Sequence, residues 1–179
     1  MQIEPAPAGP LIEGVRQALD PFLGKPHLKQ THRSLTLTYR VESEIPPVQS
    51  LKLKIEVNTR DHFSMYGFTD SPFEIESQWF SGKCAITTYR LDELLGTKLR
   101  ALYQRRKGRD LFDLWLGLTK GGADPAQIVE SFKMYMTEEG HTISQKDYRA
   151  NLSEKMKRKD FLGDTTSLLT TQVLYDPQA

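Results

Sequence analysis

Apolar residues recur along this chain with two different periods. Between Leu11 and Phe22 they stand at Leu11, Ile12, Val15, Ala18 and Leu19, which is the spacing of a helix with one buried face. Asp20-Pro21 and Gly24 supply its stop signals. From Ser34 to Glu42 the period drops to two. Leu35, Leu37, Tyr39 and Val41 face one way, and Ser34, Thr36, Thr38 and Arg40 the other. Leu51 to Arg60 repeats the pattern, with Leu51, Leu53, Ile55 and Val57 set against Lys52, Lys54, Glu56 and Asn58. Ser43 to Pro47 is short and rich in turn residues, so these two strands are expected to form an antiparallel hairpin. Phe73 to Trp79 is a third alternating run, and Cys84 to Tyr89 a fourth after a turn at Ser81-Gly82.

Beyond residue 90 the period returns to that of a helix. Leu91, Leu94, Leu95, Leu99 and Leu102 mark one helix, which Gly108 breaks. Leu111, Leu114, Trp115 and Leu118 mark the next, up to Gly121-Gly122. Pro125 opens a third, with Ile128, Val129, Phe132 and Met136 facing inward, and Ser144 to Met156 a fourth. After Thr165 the pattern weakens into an irregular arm. Strands first and helices later imply an α+β chain: a strand-rich region 1–90 with an antiparallel or mixed sheet, then a helical bundle over 91–179.

Charge changes this picture only locally. Twenty-four basic residues stand against 23 acidic ones, a net charge of +1, which excludes a uniformly basic coat for nucleic acid. One cysteine, Cys84, excludes an intramolecular disulfide framework and suits a reducing compartment such as the cytoplasm; it reads as an inert core thiol. No apolar run is long enough to span a membrane, and residues 1–10 lack the basic and apolar regions of a signal peptide. His27, His32, His62 and His141 share no metal-ligand spacing.

The densest chemistry lies in Leu91–Trp115. Lys98 falls on or beside the apolar stripe of its helix, one heptad after Leu91. Such a lysine either snorkels, with its stem on the core, or sends its ammonium into a cleft to meet a phosphate or act as a base. Arg105, Arg106, Lys107 and Arg109 cluster around Gly108, and Asp110 and Asp113 follow on one helix face. The cluster reads equally as a solvated turn, with Arg109 and Asp113 as an i,i+4 pair, or as an anion site built from arginine forks at a helix start. Glu56 shares its strand face with Lys52, Lys54, Asn58 and Arg60, so it is a surface ion-pair member unless other carboxylates join it to hold a metal. Glu74 and Glu76 read as the outer face of an amphipathic strand. Lys146 to Asp160 carries six basic and three acidic residues, a solvated helix face or a nucleic-acid contact.

The order K-L-x(6)-R-x-x-R-D-x-x-D, from Lys98 to Asp113, resembles the signature of the AbiEii/AbiGii-type nucleotidyltransferase toxins. Leu53-Lys54-Ile55-Glu56-Val57-Asn58 is similar to a strand of that family, and Ala150 to Leu169 to its helical tail; the likeness runs from about Pro10 to Asp176. The resemblance implies a partial nucleotidyltransferase-like sheet followed by the helical bundle. It implies an Mg²⁺-dependent transfer of a nucleotide from an NTP to an acceptor such as RNA, in a bacterial type IV toxin–antitoxin or phage-defence system with a cognate antitoxin. It carries Lys98, Asp110 and Asp113 over as catalytic residues, Arg106 and Arg109 as arginines near phosphates, and Glu56 as the acid completing a metal site; Arg105, from the same basic cluster, joins the arginines as a phosphate-binding candidate.

The chain departs from the family at one place. A Gly-Gly-(Ser/Thr) turn followed by Asp-x-Asp is expected upstream of Glu56, and nothing there supplies it: Gly14 and Gly24 stand alone, and Asp20 has no partner two residues on. The expectation is therefore a nucleotidyltransferase shortened at its N-terminus. The alternative is a non-catalytic relative that binds nucleotide, RNA or protein through its basic cluster. A missing strand unit would expose a sheet edge and favour homo-oligomers.

Overall fold

The structure is a computed structural model that describes residues 8–31, 34–58, 63–78, 80–170 and 173–177. It divides into two compact units, Met1–Phe63 and Ser64–Ala179. The division precedes the third alternating run, so the expected boundary at residue 90 falls inside the second unit.

In the first unit, helix α1 (Ala8–Leu23) precedes strands β1 (His27–Gln30), β2 (Ser34–Glu42) and β3 (Ser50–Asn58). The strands form one sheet in the order β1-β2-β3, antiparallel throughout. The apolar face of the β2–β3 hairpin meets the apolar stripe of α1: Leu35, Leu37 and Tyr39 are buried with Ile12, against Val15, Leu19, Leu23, Ile55 and Val57. The Tyr39 hydroxyl donates to Asp20 Oδ1 at 2.8 Å, so this core ends in a polar tie rather than an orphaned phenol. The helix runs through Pro21, one of its expected stop signals, and ends at Gly24, whose φ of +74° suits a residue without a side chain. Strand β1 was not expected. Its four exposed residues, His-Leu-Lys-Gln, carry no alternation, and they pair with β2 through the backbone alone.

In the second unit, β4 (Phe68–Glu76) and β5 (Ser81–Tyr89) pair only with each other. The described strands thus form two antiparallel sheets, and the mixed alternative for a single sheet is corrected. Strand β4 begins five residues before the expected run, through Thr69, Asp70, Ser71 and Pro72, which have little strand character. After β4 the Ser77 hydroxyl accepts from Phe80 N at 3.0 Å, while Ser81 and Gly82, expected to form the turn, belong to β5. Trp79 lies outside the described residues. Cys84 is exposed on this hairpin, which overturns its reading as a core thiol.

Helices α2 (Leu91–Gln104), α3 (Gly108–Thr119), α4 (Pro125–Glu138), α5 (Gln145–Met156) and α6 (Lys159–Leu162) follow. Their core joins Leu95, Leu102, Leu114, Ile128 and Phe161. Asp124 and Ser144 cap α4 and α5 by accepting from Ala126 N at 2.8 Å and Asp147 N at 3.1 Å. Val129, expected inside, is exposed, whereas Phe132 and Met136 are buried. Close helix contact rests on small residues: a side chain at Gly96 would meet Ser131 Cβ of α4 at 2.6 Å. Gly108 does not interrupt a helix. It starts α3, where a side chain would strike the backbone carbonyl of Phe161.

One buried carboxylate organises the entry to this bundle. Glu93 is fully buried and accepts from Ser64 Oγ at 2.8 Å, Met65 N at 2.7 Å, Tyr66 N at 2.9 Å and the Tyr135 hydroxyl at 2.8 Å. Burial, then the bond to Glu93, raises the Tyr135 pKa; burial, then Glu130, pushes Tyr66 up to about 12.

Candidate functional site

Of the residues singled out in Leu91–Trp115, Lys98, Arg105, Asp110 and Asp113 meet between α2 and the start of α3. Lys98 lies on α2, one turn and a half before its C-terminus, and is half-buried. Its ammonium is 2.8 Å from Asp113 Oδ2 and 3.9 Å from Asp110 Oδ1. Asp110 is fully buried in the first turn of α3, where the helix dipole favours a carboxylate. Arg105 grips it with a two-pronged guanidinium bond, Nε to Oδ2 and Nη2 to Oδ1, each at 2.7 Å. That bond raises the Arg105 pKa, although burial opposes it. The order along the site is thus Asp113, Lys98, Asp110, Arg105, with charges alternating.

The i,i+4 pair between Arg109 and Asp113 does not form. Asp113 is taken by Lys98, and Arg109 turns toward Asp164, whose carboxylate lies 3.7 Å from Arg109 Nε and 3.7 Å from Lys107 Nζ. Asp164 also accepts from Arg109 N at 3.2 Å, so it caps the start of α3 from the segment after α6. Nothing in its local sequence marks Asp164, because its partners lie some fifty positions away. Lys155 was likewise missed. It sits on α5, nearly buried, and donates to the carbonyls of Leu102 and Tyr103 at the end of α2. Arg106 stands apart from the motif cluster: it is exposed, and among the described residues it makes no hydrogen bond or ion pair.

A cavity of about 650 Å³ opens beside Lys98 and Asp113 between α2 and α3. Leu91, Leu94, Leu95 and Leu116 wall it, and Lys120 stands with Lys98 at its rim. The site can therefore present an ammonium to an anion while its walls accept an apolar or aromatic surface.

Glu56 belongs to the first unit. On the exposed face of β3 it accepts from Lys54 Nζ at 2.5 Å, and this bond is the main cause that lowers its pKa. A carboxylate already neutralised by lysine, with no second carboxylate joining it among the described residues, does not fit a hard dication. Among the described residues no group of three His, Cys, Asp or Glu could hold a metal. His32 and His62 lie outside those residues. Glu74 pairs with Lys83 at 2.5 Å, on a strand whose nine residues are all exposed, so the buried face expected opposite Glu74 and Glu76 is not there.

The family described as "Nucleotidyl transferase AbiEii toxin, Type IV TA system" matches residues 3–176, and the chain belongs to it. No curated protein and no solved structure matches the chain.

Proposed function

We propose that this chain uses the α2–α3 corner to hold the phosphates of an NTP, and that it transfers a nucleotide to an acceptor such as RNA as the toxin of a type IV toxin–antitoxin pair, in a phage-defence setting and in the cytoplasm. The observation that carries this reading is the Asp113–Lys98–Asp110–Arg105 chain, in which the motif lysine and the two motif aspartates stand with the neighbouring Arg105. Lys98 is the residue that meets substrate. Asp113 holds its ammonium extended at 2.8 Å until phosphate oxygens replace the carboxylate. Asp110 is a positioning residue: both its oxygens are engaged by Arg105, so it fixes the fork and leaves the outer face of the guanidinium to a phosphate. Arg109 adds a second cation at the start of α3. Mg²⁺ is the cofactor that membership implies, and Glu56 with Lys54 does not fit it, so no step here passes through a metal.

The test is incorporation of labelled nucleotide into RNA by the purified chain. Lys98→Ala is expected to lower the rate by about a hundredfold or more, the usual loss for one preorganised charge. Retained activity in Lys98→Ala would remove Lys98 from the mechanism.

The salt-bridged Glu56 favours a second reading, in which the chain binds nucleotide, RNA or a partner protein without transferring anything. Metal-independent, salt-sensitive NTP binding with no incorporation would select it.

A further inference from the structure

Arg106 lines a groove that none of Lys98, Asp110 or Asp113 lines, between the α2–α3 link and the α5–α6 corner. The groove measures about 540 Å³ and is open to solvent. Its charged walls are Arg106, Lys155, Lys157 and Arg158, against the single carboxylate of Glu154; Asn151 adds an amide. Three features mark it as more than a solvated helix face. Lys155 is nearly buried, fixed on the last carbonyls of α2, so its charge cannot swing out to water. Arg106 has no carboxylate to offset it among the described residues, and it stands near enough to Lys155 that burial first, then Arg106, pushes the Lys155 pKa down. The remaining cations are held only by exposed neighbours: Lys157 by Glu154 at 2.5 Å, and Arg158 by Asp160 at 3.0 Å. Exposed pairs of this kind are weak and exchange readily for another anion.

Four cations against one carboxylate are more charge than a single phosphate needs. Arg106 comes to the groove from the α2–α3 link, and Lys155, Lys157 and Arg158 from the end of α5 and the residues that follow it. No aromatic side chain lines the groove to stack a base, so it suits a repeated charge read without sequence. We propose that this groove holds consecutive phosphates of a single-stranded nucleic-acid backbone, delivering the acceptor to the neighbouring α2–α3 corner. Its role as an acceptor site rests on the transferase reading above.

The experiment is fluorescence anisotropy of labelled oligo-uridine with the full chain, titrated with salt. Lys157→Glu combined with Arg158→Glu is expected to weaken binding by about tenfold or more, and to reduce the slope of log affinity against log salt by about 1.4, two phosphate contacts' worth. Arg106→Glu weakens binding similarly, and Arg106→Lys restores most of it. Circular dichroism confirms that each variant is folded. Affinities of the reversed variants within twofold of the parent would overturn the proposal. So would equal competition by polyglutamate of matched charge, or binding of inorganic phosphate without binding of oligo-uridine. The two readings fail separately. If the parent transfers no nucleotide but RNA affinity still depends on Arg106 and Arg158, the transferase fails and the groove stands. If it transfers nucleotide and the reversals leave affinity unchanged, the groove fails and the transferase stands.

Discussion

Glu93 shows what a single side chain does here. It is a charged residue at a helical position that would otherwise be apolar, and its two oxygens accept from four donors drawn from 64–66 and from α4. Water is excluded, so those bonds replace hydration completely. Glu93→Ala is expected to destabilise the chain by about 3 kcal/mol or more, because it strips the acceptor from buried donors. Glu93→Gln should cost less, since one oxygen remains. Chemical denaturation of the two variants reads the difference, and a Glu93→Ala variant as stable as the parent would deny the carboxylate this role. The same logic separates Asp110 from Asp113. The first is consumed by Arg105 inside the fold, whereas the second is half-exposed and shares only a lysine.

At the level of elements, the alternation in 34–42 was legible because β2 turns Leu35, Leu37 and Tyr39 into the core, although Thr36 is buried on its other face; in 51–58 the alternation was legible although Leu51 and Leu53 stay exposed, and the long helices were legible too. The pairing of β1 was not, since backbone hydrogen bonds leave no trace in residue type when all four side chains are exposed. The motif residues were legible as a cluster. Their partners were not, because sequence proximity suggested Arg109 for Asp113 while the fold supplied Lys98 from the preceding helix. Glycines give a sharp test of element packing. Gly108 begins α3 against the Phe161 backbone, while Gly14 in α1 has nothing within 4 Å. Gly108→Ala is expected to destabilise by about 1–3 kcal/mol through overpacking. Gly14→Ala should stabilise by about 0.5–1 kcal/mol, through helix propensity alone. Thermal melts of the two variants should therefore move in opposite directions.

At the scale of the whole molecule, the motif cluster, the basic groove and the Glu93 staple all lie in the unit Ser64–Ala179, which has its own apolar core. A fragment 64–179 is expected to unfold in one cooperative transition and to keep its helical circular dichroism. A broad, featureless melt would show that this core does not suffice. Within that unit only Arg105, Arg106 and Lys107 separate α2 from α3. Asp110 and Asp113 then stand on one helix, α3, where each residue turns the backbone by about 100°, so inserting or deleting one codon between them would swing Asp113 off the Lys98 side while leaving every motif letter in the gene. Gain or loss of a codon there is therefore filtered by rotational phase, whereas the 139–144 connection lies outside the helices and carries no helical phase of its own.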